Sequence, residues 1–365
     1  MATRPLAAIV LAAGEGTRMR SPTPKPLHRV CGRPLVLHVL DALAELSVER
    51  VVVVVGYRSA EVTKTLQAEA PPELRLEFVE QVRPLGTGDA AAVGLTGFPE
   101  PYEGLEDGDL VVLPGDAPLV RPATLAALVQ AHRSSAAAAT LLTAVLPDPT
   151  GYGRVVRAKD GSVARIVEES DATEEEREID EVATSIYCFR HGVLAPTLRR
   201  LSPDNAQGEY YLTDAVSVLH AAGYPVTSLA ASDPAEAAGV NDRAQLAAAE
   251  AELRSRINER WMRRGVTMTD PEQTYLDASV RIGRDVTILP GVLLEGSTSV
   301  GDGAVLGPST RLVDCQVGPG ARVEHSVGRL AFVGEEAVVG PFAVLEPGAR
   351  VAPRVATGPF FVGGS

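Results

Sequence analysis

Cysteine, lysine and long apolar runs are all scarce in this chain of 365 residues. Its three cysteines, Cys31, Cys188 and Cys315, are odd in number, far apart and never in a CxxC pair, which argues against a disulfide framework or a thiolate zinc site. A reduced, cytoplasmic setting is therefore expected. Basic residues are outnumbered, 34 Lys and Arg against 47 Asp and Glu, and the formal charge of -13 leaves no basic stripe to replace the counterions of a nucleic acid. The acidity is spread along the chain and serves solubility rather than one partner. No window approaches the ~20 apolar residues that span a bilayer. The opening Met-Ala-Thr-Arg-Pro-Leu holds no export core, so neither membrane insertion nor secretion is expected. Lysine occurs only at 25, 64 and 159 in a chain that otherwise uses Arg. A Lys kept inside a candidate phosphate-binding segment points to a need for a compact ammonium.

With 45% hydrophobic residues, the chain has enough apolar material for one large domain and a smaller companion. The large domain is organised around Ile9 to His28, IVLAAGEGTRMRSPTPKPLH. A short aliphatic strand loosens at Leu11-Ala12-Ala13-Gly14-Glu15-Gly16, and Arg18 and Lys25 follow in one loop-rich segment. Small residues let a backbone approach a ligand, amides can point at phosphate oxygens, and two cations neutralise charge. The same glycines would equally make a plain strand-to-helix turn. The segment matches neither the dinucleotide fingerprint nor the Walker loop.

Pro34 to Leu46 then carries apolar residues at helical spacing, Val51 to Val55 is an unbroken aliphatic run, Ala60 to Gln67 reads as helix and Leu74 to Val79 as strand. This succession predicts a doubly wound, Rossmann-like α/β domain, in which ligands lie beyond the carboxyl ends of the strands. Gln81 to Gly88, QVRPLGTG, precedes the helical stretch Asp89 to Leu95 and reads either as a ligand loop or as a glycine-rich helix entry. A Gln amide there offers a donor and an acceptor to the imide edge of uracil or thymine. Leu110 to Leu113 ends in Pro114-Gly115-Asp116. Gly115 admits close approach, and Asp116 suits a Mg2+ ion or caps the helix expected from Pro122 to Arg133. Further on come a strand near Leu141 to Leu146 and a hairpin of Val155 to Ala158 with Val163 to Val167. The acidic run Glu168 to Glu181 reads as a short surface helix or lid, which leaves Glu168 either facing a ligand or solvated. Asn241 stands before a long helix through Arg264, where an N-cap is ordinary.

From Ile282 the pattern changes to a period of six, marked by Ile282, Ile288, Leu294, Val300, Leu306 and Leu312. After a slip it continues at Val317 and Val323, and after a break at Val327, Val333, Val339, Leu345 and Val351. One bulky aliphatic per sixth residue stacks a column inside a three-sided coil, the signature of a hexapeptide β-helix of about four coils.

The chain resembles, almost residue for residue around Leu11 to His28, the sugar-nucleotide pyrophosphorylases, in the form found in the bifunctional GlmU enzymes that make UDP-N-acetylglucosamine. The resemblance implies a nucleotidyltransferase domain over residues 1–240, a linker helix over 241–265 and a short left-handed parallel β-helix over 266–365. It implies UTP and a sugar 1-phosphate as substrates, Mg2+ as cofactor and a homotrimer held by the β-helix. By the same resemblance Arg18 and Lys25 act on the phosphates, Leu11 to Gly14, Gln81, Gly86, Thr87 and Gly115 hold the nucleotide, and Asp116 and Asn241 hold the metal. Gly153, Glu168, Glu209, Tyr211 and Thr213 face the sugar. Two departures stand out: Asp89 replaces the usual His, and Ala183 replaces the Asn that helps to hold the sugar. Ala183 offers no hydrogen bond, so the sugar differs, the site is weakened, or Thr184 compensates. Acetyltransferase activity is expected to be absent, because no stretch resembles that motif and His325 is the only histidine in the repeats. Other readings are the same chemistry with another sugar or cyclitol 1-phosphate or another NTP, and a non-catalytic sugar-nucleotide sensor or trimeric scaffold.

Overall fold

The computed structural model describes residues 4–98 and 108–364, which form two compact units. One is built from residues up to His28 and from Pro34 to Leu246, the other from Arg29–Arg33 with Ala247 onward.

The first unit is a nine-stranded sheet clothed by helices. Its strands are β1 (Leu6–Ala12), β2 (Arg50–Val55), β3 (Leu76–Glu80), β4 (Asp109–Pro114), β5 (Ala139–Val145), β6 (Arg154–Arg157), β7 (Val163–Val167), β8 (Glu181–Arg190) and β9 (Val226–Ala230). Between them lie α1 (Leu35–Ala44), α2 (Ser59–Glu69), α3 (Thr87–Leu95), α4 (Pro122–Ser135), α5 (Glu174–Arg177), α6 (His191–Leu198) and α7 (Asp214–Ala221). The main order is β9-β5-β8-β4-β1-β2-β3, with β6 and β7 forming a hairpin beside β8. Strands β1, β2, β3 and β4 are parallel because helices carry the chain back between them. Their aliphatics are buried on both faces, Ile9, Val52, Val54 and Val112 on one side and Val10, Val51, Val53 and Val111 on the other. Burying each such side chain is worth about 1.5–3 kcal/mol, which is why the runs are unbroken rather than alternating.

One strand departs from the expected parallel winding. The chain leaves β5 through the β6–β7 hairpin, not through a crossover helix, so β8 runs antiparallel to both β4 and β5. Its first residues, Glu181 to Thr184, are thereby placed at the sheet edge where β1 and β4 end. An irregularity in the pairing between Ala183 and Tyr187, with Ser185 at φ 60, re-aims the side chains there.

The second unit carries three parallel sheets of five, six and five short strands, the arrangement of a left-handed parallel β-helix. Twelve of the aliphatics in the six-residue pattern point inward and are buried, from Ile282 to Val351. Two expectations need correction. Among the described residues the strands complete five coils rather than about four: the first fills its interior with Met268 and Leu276, whose eight-residue separation hides it from a six-residue frame. Val327 is not a column residue, being 49% exposed, and its neighbour Gly328 takes the inward place between Leu312 and Leu345. A Cβ at Gly328 would lie 3.0 Å from Leu312 Cδ2 and 3.3 Å from Cys315 Sγ, so the interior has already been filled from the sides.

All three cysteines are free and buried. Among the described residues, no helix is long and apolar enough to cross a membrane.

Candidate functional site

A cavity of about 700 Å³ opens at the carboxyl edge of the large sheet. Of the residues singled out from the sequence, Asp89 lies off its lining, whereas Leu11, Ala12, Ala13, Gly14, Arg18, Lys25, Gln81, Gly86, Thr87, Gly115, Asp116, Gly153, Glu168, Ala183, Glu209, Tyr211, Thr213 and Asn241 all line it. Its size is that of a pocket for a molecule of a few tens of atoms.

The segment after β1 does not run into an α-helix. Gly16 adopts φ 65 and begins a single 3-10 turn, Thr17–Met19, and a Cβ on Gly16 would lie 2.6 Å from Lys25 Cβ. Gly16 is thus dictated by the chain itself. Gly14 is different: its chain neighbours apart, nothing among the described residues lies within 4 Å of where its Cβ would be. The room left there belongs to the cavity, as a backbone that must admit a ligand requires. Arg18 is exposed at the rim and forms no ion pair with the described residues.

Lys25, Asp116 and Asn241 meet at one point. The ammonium of Lys25 forms an ion pair with Asp116 and donates to Asn241 Oδ1 at 2.8 Å. Neither Asp116 nor Asn241 takes the capping role open to it. Helix α4 is preceded by Arg121 with no side-chain cap, and Asp242, not Asn241, receives the Gln245 amide at 2.8 Å. Asn241 instead holds its backbone N–H on Gln245 Oε1 at 2.7 Å, leaving its side chain for Lys25. A carboxylate and an amide oxygen already converging on a cation are hard donors of the kind a small divalent ion takes alongside phosphate and water. The residues present fit such an ion.

Two loops close the opposite side. Gly86, at φ 111, ends the β3 loop and precedes α3, and a Cβ there would meet Tyr210 O at 2.6 Å. The 205–213 loop is stitched to this one: Tyr210 N–H donates to Leu85 O, Gly88 N–H to Tyr210 O, and Leu212 N–H to the Thr87 hydroxyl at 2.9 Å. Glu209 lies in that loop, short of the helix start at Asp214. Thr213 donates to Glu168 Oε1 at 2.8 Å. Glu168 is half-buried at the end of β7, so the solvated alternative is set aside; the acidic run instead places α5, with its Thr173–Glu176 capping box, on the surface. Burial raises the Glu168 carboxyl above the usual range, the Asp214 and Asp171 carboxylates add to this, and the Thr213 hydroxyl opposes it.

A raised native carboxyl binds its proton more tightly folded than unfolded, so stability is greatest below the unfolded Glu value and falls as pH rises through the folded one. Glu168→Gln removes this dependence. Denaturant unfolding at pH 4 and pH 8 should show the variant gaining on the parent at the higher pH; an equal difference at both pH values would refute the assignment.

At Ala183 the wall carries only a methyl group. Thr184 does not take over: it is buried and its hydroxyl donates to Leu142 O at 2.9 Å. Gly153 lends its carbonyl to the Ala183 N–H at 2.8 Å. Tyr187 was missed from the sequence, where Ile186-Tyr187-Cys188-Phe189 reads as core strand. Its ring stacks on Phe189 and the residue lines the cavity, while its hydroxyl is buried with no hydrogen-bond partner among the described residues. Burial and the nearby Glu168 and Asp214 carboxylates push its phenol upward.

Residues 8–210 match the model of the MobA-like NTP transferase domain. The chain is 48% identical to the bifunctional protein GlmU of Thermobifida fusca, over 91% of this chain and 68% of that protein. It is 46% identical to the bifunctional protein GlmU of Streptomyces avermitilis, over 98% of this chain and 73% of that one. With the protein of the same name from Desulfitobacterium hafniense the identity is 43%, over 97% and 75%.

Proposed function

The chain belongs to the GlmU-type NTP transferase family, and we propose that it is a Mg2+-dependent nucleotidyltransferase joining UTP and a sugar 1-phosphate into a UDP-sugar of the UDP-N-acetylglucosamine kind. The observation that carries the proposal is the meeting of Lys25, Asp116 and Asn241 in the cavity that also holds the Gly14 loop. An oxygen of the sugar 1-phosphate attacks the α-phosphorus, the bond between that phosphorus and the β-phosphate oxygen breaks, and pyrophosphate leaves with the electron pair. No side-chain base is needed, because a phosphate monoester is already anionic near neutral pH. Arg18 and Lys25 neutralise phosphate charge, the open face at Gly14 admits the triphosphate, and Glu168 accepts from a sugar hydroxyl. Asp116 and Asn241 would hold the metal, which supplies further charge neutralisation at the phosphates.

The chemistry resides in residues 1–240 together with Asn241 at the head of the linker over 241–265, and 266–365 form the assembly domain. Support for a trimer built on the β-helix comes from its outward Val338, Phe342, Val344 and Phe360, all exposed. The relatives are bifunctional by name, so the expected lack of acetyl transfer draws no support from them.

A second reading keeps the chemistry and changes the sugar. Ala183 favours it, since neither it nor the committed Thr184 hydroxyl replaces an amide side chain. Pyrophosphate release from a panel of NTPs and sugar 1-phosphates, with a divalent ion present, tests both. UTP with N-acetylglucosamine 1-phosphate should give the highest kcat/KM; a different sugar in first place selects the second reading, and no release from any pair rejects both.

A further inference from the structure

Gln81 follows β3 and is 7% exposed, so the direction in which its amide points is set by the protein. Its nitrogen donates to Asp89 Oδ2 at 2.7 Å and to Gly86 O at 3.2 Å. Both amide hydrogens are thus spent on acceptors that belong to the protein. Turning the amide over would set its oxygen against a carboxylate and a carbonyl, two repulsive contacts in a poorly hydrated place. Gln81 Oε1 therefore meets no donor among the described residues and faces the cavity that Gln81 lines. Asp89 sits in the first turn of α3, and its Oδ2 is the nearer of the two acceptors that hold the Gln81 nitrogen.

We propose that Asp89 is a positioning residue for base selection: by holding the Gln81 nitrogen it presents a bare acceptor to the nucleobase, which selects bases whose ring edge carries an N–H. The inference rests on the nucleotidyltransferase reading for its substrate and deepens it. Uracil offers such an N–H on its ring nitrogen. Cytosine, of the same size, offers a bare lone pair at that position, and an acceptor facing an acceptor leaves both unpaired. Asp89 itself touches neither base nor phosphate; it acts through the Gln81 amide, and Gly86 O alone is the weaker and longer of the two anchors.

The test compares the parent with Asp89→Ala and Asp89→Asn, using UTP and CTP with one sugar 1-phosphate, and separately the binding of UDP and CDP to the whole chain by calorimetry. Asp89→Ala frees the amide to turn, so the UTP to CTP ratio of kcat/KM and the UDP to CDP ratio of affinities should each fall by about tenfold, the factor that one lost hydrogen-bond preference represents. Asp89→Asn keeps an acceptor oxygen and should hold both ratios within about twofold of the parent. Equal losses for uridine and cytidine nucleotides in Asp89→Ala, as a merely loosened start of α3 would give, overturn the proposal. So does a parent protein with no preference for UDP over CDP. A parent that prefers UDP while releasing no pyrophosphate supports this inference and removes the proposed function, so the two fail separately.

Discussion

Lys25→Ala should lower pyrophosphate release at least about a hundredfold, the usual effect of deleting one preorganised charge at a transferring phosphoryl group, and at the same time tighten the binding of a divalent ion. The two movements have one cause. The Lys25 ammonium draws on the Asp116 carboxylate and on Asn241 Oδ1, the same two oxygens that suit a metal. Removing it leaves the pair of donors to the ion alone. A partly buried ion pair is worth about 1 kcal/mol, which predicts a gain in ion affinity of a few-fold. Isothermal titration with Mg2+ reads the affinity, and a coupled pyrophosphate assay reads the turnover. A variant with unchanged turnover would remove Lys25 from the chemistry. A variant that lost ion affinity would show that Lys25 supports the metal site rather than sharing its ligands. Lys25→Arg is the informative companion, because the broader guanidinium keeps the charge and cannot occupy the same compact position.

The second large effect is expected at Asp116→Asn, which keeps the size of the side chain and an oxygen but removes the charge. Turnover should fall by about three orders of magnitude, since the ion's hold on the phosphates depends on an anionic ligand. Ion affinity should fall with it, and raising Mg2+ should recover part of the rate. The opposite signs at Lys25 and Asp116 in the ion titration are what distinguishes a shared metal and ammonium site from general damage to the cavity. Equal weakening in both variants would argue for damage. Thermal melting of both proteins near the parent value is the control, because Lys25 and Asp116 lie at the cavity wall and not in the packed core.

Much of this site was legible because its pieces are local. The small residues before Arg18, the glycines around Thr87 and the Asp at the end of β4 are each short motifs at the ends of strands, and the winding rule for open sheets sends strand ends to one edge. What could not be read locally was choice among partners. Asp116 and Asn241 each had a capping role available, and only the approach of Lys25, 216 residues before Asn241, shows that neither caps. Thr184 lay beside Ala183 in sequence and was a natural substitute for the missing amide. Its hydroxyl is instead drawn to Leu142 O on the neighbouring strand, a contact set by the pairing of β8 with β5. Tyr187 escaped notice because a tyrosine among aliphatics reads as core, and whether its hydroxyl finds a partner is a property of the packed neighbourhood.

The sequence by itself determined the two kinds of periodicity, aliphatic runs for a sheet buried on both faces and a six-residue repeat for a coil, because burial acts on every turn of a regular element alike. It also determined which small and charged residues line the cavity, since that needs only residue type beside a strand end. Tertiary structure alone decided the antiparallel entry of β8, the exchange of Val327 for Gly328 in the column, the meeting of Lys25 with Asp116 and Asn241, and the direction of the Gln81 amide. Each of these is a choice between alternatives of similar local cost, settled by what stands across from it. Hydrogen bonds and packed side chains are satisfied by partners in space, and those partners come from elements far apart along the chain.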